Sequence, residues 1–192
     1  MKILYIMGKS SAGKDTIYKK LKKMLNVDTY VLYTTRPMRK GEQEGIDYNY
    51  INKDILEDLK EKVIESRTYN TVYGPWTYAT ILDNQFNSDK DMIMTGTLES
   101  YNKVREYFLN DKEKEILPIY IEVEDGIRLE RALKREKEQD DPKYEEMCRR
   151  FIADCRDFSE ENIINAGIKR RFNNIDIEKC VDEIIKYIED KK

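Results

Sequence analysis

The sequence predicts an α/β fold of three layers, a parallel sheet wrapped by helices, and three observations carry that reading. Strand-like apolar runs at Ile3–Met7, Asp91–Thr95 and Leu117–Val123 alternate with helical patterns at Lys14–Met24, about Leu98–Phe108 and about Gly126–Lys137, which is the rhythm of a parallel sheet. The first run passes directly into a glycine-framed loop, Gly8 to Thr16, that opens the first helix. The last element, Ile175–Lys191, spaces Ile177, Val181, Ile184, Ile185 and Ile188 at helical intervals, a stripe that closes the core.

Element by element, the first strand is preceded by one lysine and spans five apolar residues, too few for a signal-peptide core or a membrane span. The loop after it reads Gly8-Lys9-Ser10-Ser11-Ala12-Gly13-Lys14-Asp15-Thr16. Gly8 and Gly13 let successive backbone N–H groups curl around phosphate oxygens, Lys14 reaches toward the transferred group, and the helix N-terminus adds partial positive charge. Right-handed crossovers place this loop at the carboxyl edge of the sheet, where such folds bind ligands. The reading is ATP-type triphosphate chemistry; the alternative is an ordinary glycine-containing strand-to-helix turn. After the lysine, where a Ser or Thr hydroxyl usually meets Mg²⁺, stands Asp15, with Thr16 next. Either oxygen suits Mg²⁺, and Asp15 equally suits a helix cap.

The 192 residues fill one domain, expected over 1–192, and leave no room for a second of substantial size. Charged residues reach 38% yet nearly cancel, to a net charge of −3, so no global field recruits nucleic acid and no membrane partner is implied. Cys148, Cys155 and Cys180 are too few for a disulfide framework, and with no histidine there is no Cys/His metal spacing. A reducing cytoplasm is the expected location, and the chain is expected to act as a monomer or homodimer.

Two stretches interrupt the alternation. The first, 34–90, is expected to be an inserted acceptor-binding subdomain with a helix at Asn52–Lys62; the second, about Arg135 to Tyr144 within a lid region at 131–150, is hydrophilic and ends at Pro142. A solvated, charged helix end is the plainer reading of the latter. Within the first lies Thr34-Thr35-Arg36-Pro37-Met38-Arg39-Lys40-Gly41-Glu42-Gln43-Glu44-Gly45-Ile46-Asp47-Tyr48. Arg36 and Arg39 can fork onto the oxygens of a phosphate dianion while Tyr48 and Tyr73 donate hydroxyl hydrogen bonds. A basic surface loop with two structural tyrosines is the alternative.

The run Thr34 to Tyr48, followed by Tyr73-Gly74, resembles the nucleotide-binding insertion of guanylate kinases, and Gly8 to Thr16 resembles their phosphate loop. The likeness covers nearly the whole chain. It implies that Arg36, Arg39, Tyr48 and Tyr73 hold the acceptor's phosphate and that Glu65 meets the guanine ring. Arg131, Arg135 and Arg150, the last with Arg149 as a substitute, resemble the family's charge-neutralising arginines, and Asn173-Asn174 its adenine-side loop. The departures cluster around the base: Leu32 and Tyr33 stand where a small hydroxyl residue is usual, Pro75 follows Tyr-Gly, and Thr97 replaces a strand carboxylate. Glu65 is left as the sole acidic reader, so discrimination of guanine is expected to weaken.

The resemblance implies in-line transfer of the γ-phosphoryl group from Mg²⁺-ATP to the phosphate of GMP or dGMP. The acceptor oxygen is already anionic, so no general base is needed; Lys14, the loop amides and the arginines neutralise charge. Asp15 and Thr16 are the expected metal-side residues, and Thr97 joins the acceptor-binding set. Two other readings stand: a kinase for a different phosphorylated acceptor, such as the related ribose 1,5-bisphosphate phosphokinases act on, and a non-catalytic guanylate kinase-like interaction module. Intact Gly8, Gly13 and Lys14 argue against the module.

Overall fold

The computed structural model describes residues 1–39, 41–71 and 73–191; Lys40, within the arginine run, lies outside the described residues. In chain order the elements are β1 (Lys2–Met7), α1 (Lys14–Met24), β2 (Asp28–Thr29), β3 (Tyr33–Thr34), β4 (Asn49–Tyr50), α2 (Lys53–Asp58), β5 (Val63–Thr71) and β6 (Gly74–Ile81). There follow β7 (Met92–Gly96), α3 (Leu98–Tyr107), β8 (Glu115–Glu122), α4 (Asp125–Lys137), α5 (Tyr144–Asp157), α6 (Glu160–Asn165), β9 (Arg171–Asn173) and α7 (Ile177–Glu189). Five strands form a sheet in the order β2-β7-β1-β8-β9, and every neighbouring pair is parallel. This is the α/β architecture that the alternating runs predict.

Alternation along β1 divides the core between the two faces, because successive strand side chains point opposite ways. Ile3, Tyr5 and Met7 pack with Leu98, Tyr101 and Val104 of α3; Leu4 and Ile6 pack with Ile17 and Leu21 of α1 and with Val181, Ile184 and Ile188 of α7. Strands buried on both faces read as continuous apolar runs, which is why β1, β7 and β8 stand out in the sequence. No described helix is long and apolar enough to cross a membrane.

The insertion forms its own four-stranded sheet, ordered β4-β3-β6-β5, with β5 and β6 antiparallel from Val63↔Ile81 to Thr71↔Gly74. The sequence did not announce this sheet, since β5 is largely solvent-facing and Thr, Tyr, Asn and Arg carry it in place of an apolar alternation. The expected helix at 52–62 is shorter. Asn52 caps α2 by accepting the Ile55 N–H, but the chain tightens into a 3₁₀ turn at Lys60–Lys62 in order to enter β5. In the lid region, α4 and α5 flank the hydrophilic stretch.

Candidate active site

The phosphate loop joins β1 to α1 at the carboxyl edge of the parallel sheet. Close packing explains both glycines. A Cβ at Gly8 would lie 2.4 Å from the Ile121 carbonyl oxygen, and one at Gly13, where φ is +89°, would lie 2.2 Å from Asn174 Nδ2. Asn174, on the loop after β9, is buried and donates from Nδ2 to the Ala12 carbonyl at 2.8 Å. Lys14 curls back so that Nζ donates to the carbonyls of Gly8 at 2.8 Å and Lys9 at 3.0 Å. Burial lowers its pKa, with Asp15 and Asp154 opposing that shift.

Beneath the loop is an ionic brace. Arg128 of α4 is fully buried; its Nη1 donates to the Ser10 carbonyl at 2.9 Å, and its Nε and Nη2 donate to Asp125 Oδ1 at 3.0 and 2.7 Å. The guanidinium lies 4.5 Å from the Phe151 ring centre. Lys9 pairs with Asp125 at 3.1 Å. From α5, Asp154 Oδ2 accepts the Ser10 N–H at 2.6 Å. Burial works to raise the Asp125 pKa, but Arg128 and Lys9 outweigh it and the net shift is downward.

The three expected lid-flanking arginines are placed differently. Arg131 Nη2 donates to the Asn174 carbonyl at 3.0 Å. Arg135 is exposed at the far end of α4. Arg150 reaches toward the loop, its Nη2 3.4 Å from Ser10 Oγ, whereas Arg149 is held by Glu146 through two bonds of 2.7 Å. Of the two adjacent arginines, Arg150 faces the phosphate loop. Asn173 is exposed at the end of β9 and, with Lys9 and the carboxyl end of β8, lines a cavity of about 320 Å³ beside the loop. A larger concavity of about 470 Å³, lined by Asp28, Thr29, Asn84, Gln85, Asn87 and Ser88, lies toward the start of β7, away from the phosphate loop.

In the inserted sheet, Thr34 anchors the arginine run: its hydroxyl donates to the Thr77 carbonyl at 2.9 Å and accepts the Arg36 N–H at 3.2 Å. Arg36 is only 3% exposed and forks onto Glu42 at 2.8 and 3.0 Å. Glu42 also accepts the Arg39 N–H and the Tyr50 hydroxyl, each at 2.7 Å. The Arg36 hydrogen bonds carry the Glu42 carboxyl down to about 2. Burial disfavours the Arg36 charge, but Glu42 outweighs it and the net shift is upward. Tyr48 lies 5.2 Å from the Arg36 guanidinium; Arg39 is exposed, with no side-chain hydrogen bond among the described residues. Tyr73 is 71% exposed and stacks on Trp76.

Glu65 and Thr97 meet through a residue that the sequence reading passed over, Arg67. Arg67 Nε and Nη2 donate to Glu65 at 3.0 and 3.2 Å, and Nη1 donates to Thr97 Oγ1 at 2.9 Å. Glu65 Oε1 also accepts the hydroxyls of Thr80 at 2.8 Å and Ser100 at 2.7 Å, and the Tyr5 hydroxyl donates to Ser100 at 2.6 Å. Two other site residues escaped the sequence reading. Arg128 lies three residues before Arg131, and Asp154 four after Arg150, each a helical spacing that sets it beside an expected residue. Asn174 had been grouped only with the adenine side.

Asp15 and Thr16, the expected metal-side residues, are exposed and adjacent in the first turn of α1. Gly13 is the N-cap and no side chain caps that end, so Asp15 contributes charge near the loop, not a cap bond. Among the described residues no group of three acidic, His or Cys side chains is poised to hold a metal. One carboxylate and one hydroxyl fit Mg²⁺, which usually keeps several waters and takes one or two protein oxygens beside substrate phosphates.

The "Guanylate kinase" family model matches residues 1–190. A guanylate kinase of Helicobacter hepaticus is 29% identical over 127 residues, covering 60% of this chain and 62% of that protein. One of Legionella pneumophila is 26% identical over 149 residues, covering 75% of this chain and 68% of that protein. The chain thus spans about three fifths to two thirds of these relatives' lengths. A crystal structure of guanylate kinase from Anaplasma phagocytophilum superposes with a TM-score of 0.63 at 22% identity, over 98% of this chain and 85% of that one; it bears out the fold. With the family model matched over residues 1–190, this protein belongs to the guanylate kinase family.

Proposed function

We propose that the protein transfers the γ-phosphoryl group of Mg²⁺-ATP to the phosphate of a nucleoside monophosphate, GMP or dGMP in the first instance, yielding ADP and the nucleoside diphosphate. The observation that carries this reading is the meeting of Lys14, Arg150 and the Gly8–Thr16 backbone at one sheet edge, with the Arg36–Arg39–Tyr48 cluster on the inserted sheet. Anionic oxygens need no general base, so positioning and charge neutralisation supply the catalysis. Lys14 and the loop amides hold the donor phosphates, and Arg39 and Tyr48 hold the acceptor phosphate. Arg36, committed to Glu42, sets the shape of the arginine loop and lends its charge from behind. Asp15 and Thr16 would hold Mg²⁺, which when bound would supply further neutralisation of charge on the donor phosphates.

The test is ADP formation by the purified protein with GMP as acceptor, beside Lys14→Met. The wild type is expected to form ADP only when an acceptor is present, and Lys14→Met to lose about 100-fold or more, in line with the removal of a preorganised charge-stabilising donor. An acceptor-independent ADP rate, or full activity in Lys14→Met, contradicts the assignment. A second acceptor class stays in view on one observation, the closure of Glu65 by Arg67.

A further inference from the structure

The acceptor-side face of the inserted sheet runs without a break from the phosphate cluster to Arg67. Tyr78 stands directly opposite Arg67 in the β5–β6 ladder, its ring lies 5.6 Å from that of Tyr48, and Tyr48 lies against Arg36. At the other end, Arg67 bonds Thr97, the first residue after β7, whose last residue, Gly96, is in register with Met7 just before the phosphate loop. An acceptor with its phosphate at Arg39 and Tyr48 therefore extends its distal part toward Arg67, at the sheet edge where α/β folds place ligands. The Glu65 side chain is 0% exposed and Arg67 is 8% exposed. Glu65 already accepts from Arg67 twice, from Thr80 and from Ser100, so no part of that carboxylate reaches a ligand. Arg67 has five N–H donors, of which three are used among the described residues. Two remain, one on Nη1 and one on Nη2.

We infer that, if the phosphotransferase reading holds, Arg67 and not Glu65 reads the acceptor's base, and reads hydrogen-bond acceptor atoms. The matching chemistry is a nucleobase edge with a keto oxygen beside an unprotonated ring nitrogen, such as O6 and N7 of a 6-oxopurine or O2 and N3 of cytosine. An arginine fork on the purine O6/N7 pair is a strong, discriminating contact, whereas the N1–H and 2-amino donors of guanine find no carboxylate here. A second phosphate fits less well, because the Glu65–Arg67 pair carries no net charge. The test is equilibrium binding of GMP, IMP, AMP and CMP without ATP, by titration calorimetry, to the wild type, Arg67→Lys and Arg67→Ala. Wild type is expected to bind GMP and IMP within about threefold of each other and AMP about tenfold more weakly; CMP affinity separates the purine edge from the pyrimidine one. Arg67→Lys keeps a cation against Glu65 but not the fork, and is expected to lose about tenfold for GMP and IMP alike. Arg67→Ala releases Glu65, so GMP should overtake IMP. Tenfold preference of the wild type for GMP over IMP, unchanged affinities in Arg67→Lys, or binding of none of the four overturns the inference. Phosphotransfer plays no part in this readout. Failed turnover with the expected binding pattern contradicts the proposed function alone, and a GMP-over-IMP preference contradicts the base reading alone.

Discussion

Glu42 is the residue around which the arginine loop folds, gathering Arg36, the Arg39 amide and Tyr50. Its carboxyl is carried from an ordinary 4.5 to about 2. A depressed carboxyl contributes stability that is fully present above the unfolded value and is lost as pH falls through the folded one. Glu42→Gln should therefore be less stable than wild type at pH 7, and the gap should close as pH falls from about 4.5 toward 2. Urea unfolding at pH 7, 4 and 3 checks this, and a gap that does not change with pH contradicts it. Tyr50, raised to about 12 by burial and by its bond to Glu42, stays protonated throughout. At this scale the sequence showed the phosphate-handling residue types plainly, because Lys14, Arg36, Arg39 and Tyr48 sit in short local motifs. It did not show their partners. Arg36 carries the cation that a phosphate cluster needs, yet Glu42, six residues on, has taken its fork. Arg67 lies two residues from Glu65 on one strand, hence on the same face, but only the tertiary contact with Thr97 and Ser100 reveals that it closes that carboxylate.

Among the elements, α4 and α5 are tied to the phosphate loop through one buried side chain. Arg128 joins Asp125, the Ser10 carbonyl and the Phe151 ring, with Asp154 3.8 Å away. Hydrogen bonds to charged groups are worth about 1.5–3 kcal/mol, and solvent reaches Asp125, so Arg128→Met is expected to cost about 2–3 kcal/mol in urea unfolding and to raise KM for ATP. Unaltered stability together with unaltered KM contradicts the brace. The elements themselves were legible wherever burial on both faces left a continuous apolar run or a helical stripe, as in β1, α1, β7, β8 and α7. The four-stranded inserted sheet was not, because β5 carries polar residues in place of an apolar alternation and the short members β3 and β4 have two residues each. The helix expected to reach residue 62 stopped at Asp58 because the chain must turn into β5, a demand set by pairing with β6 and not by local propensity.

At the scale of the whole molecule, the parallel sheet presents the phosphate loop at its carboxyl edge, and the inserted sheet presents the arginine loop and Arg67. Helices α4 and α5 bring Arg131 and Arg150 to the loop or its immediate support. Lys14 and Arg150 are thus gathered at the loop, while Glu65 is closed by an internal ion pair with Arg67. Under the proposed function, a phosphoryl group moves between two phosphates without water taking part. Phosphorus NMR of Mg²⁺-ATP mixed with GMP and catalytic protein tests it most directly. ADP and GDP appearing in equal amounts, with no inorganic phosphate, is the result expected; inorganic phosphate in place of GDP, or no consumption of ATP with GMP, IMP or CMP, contradicts it.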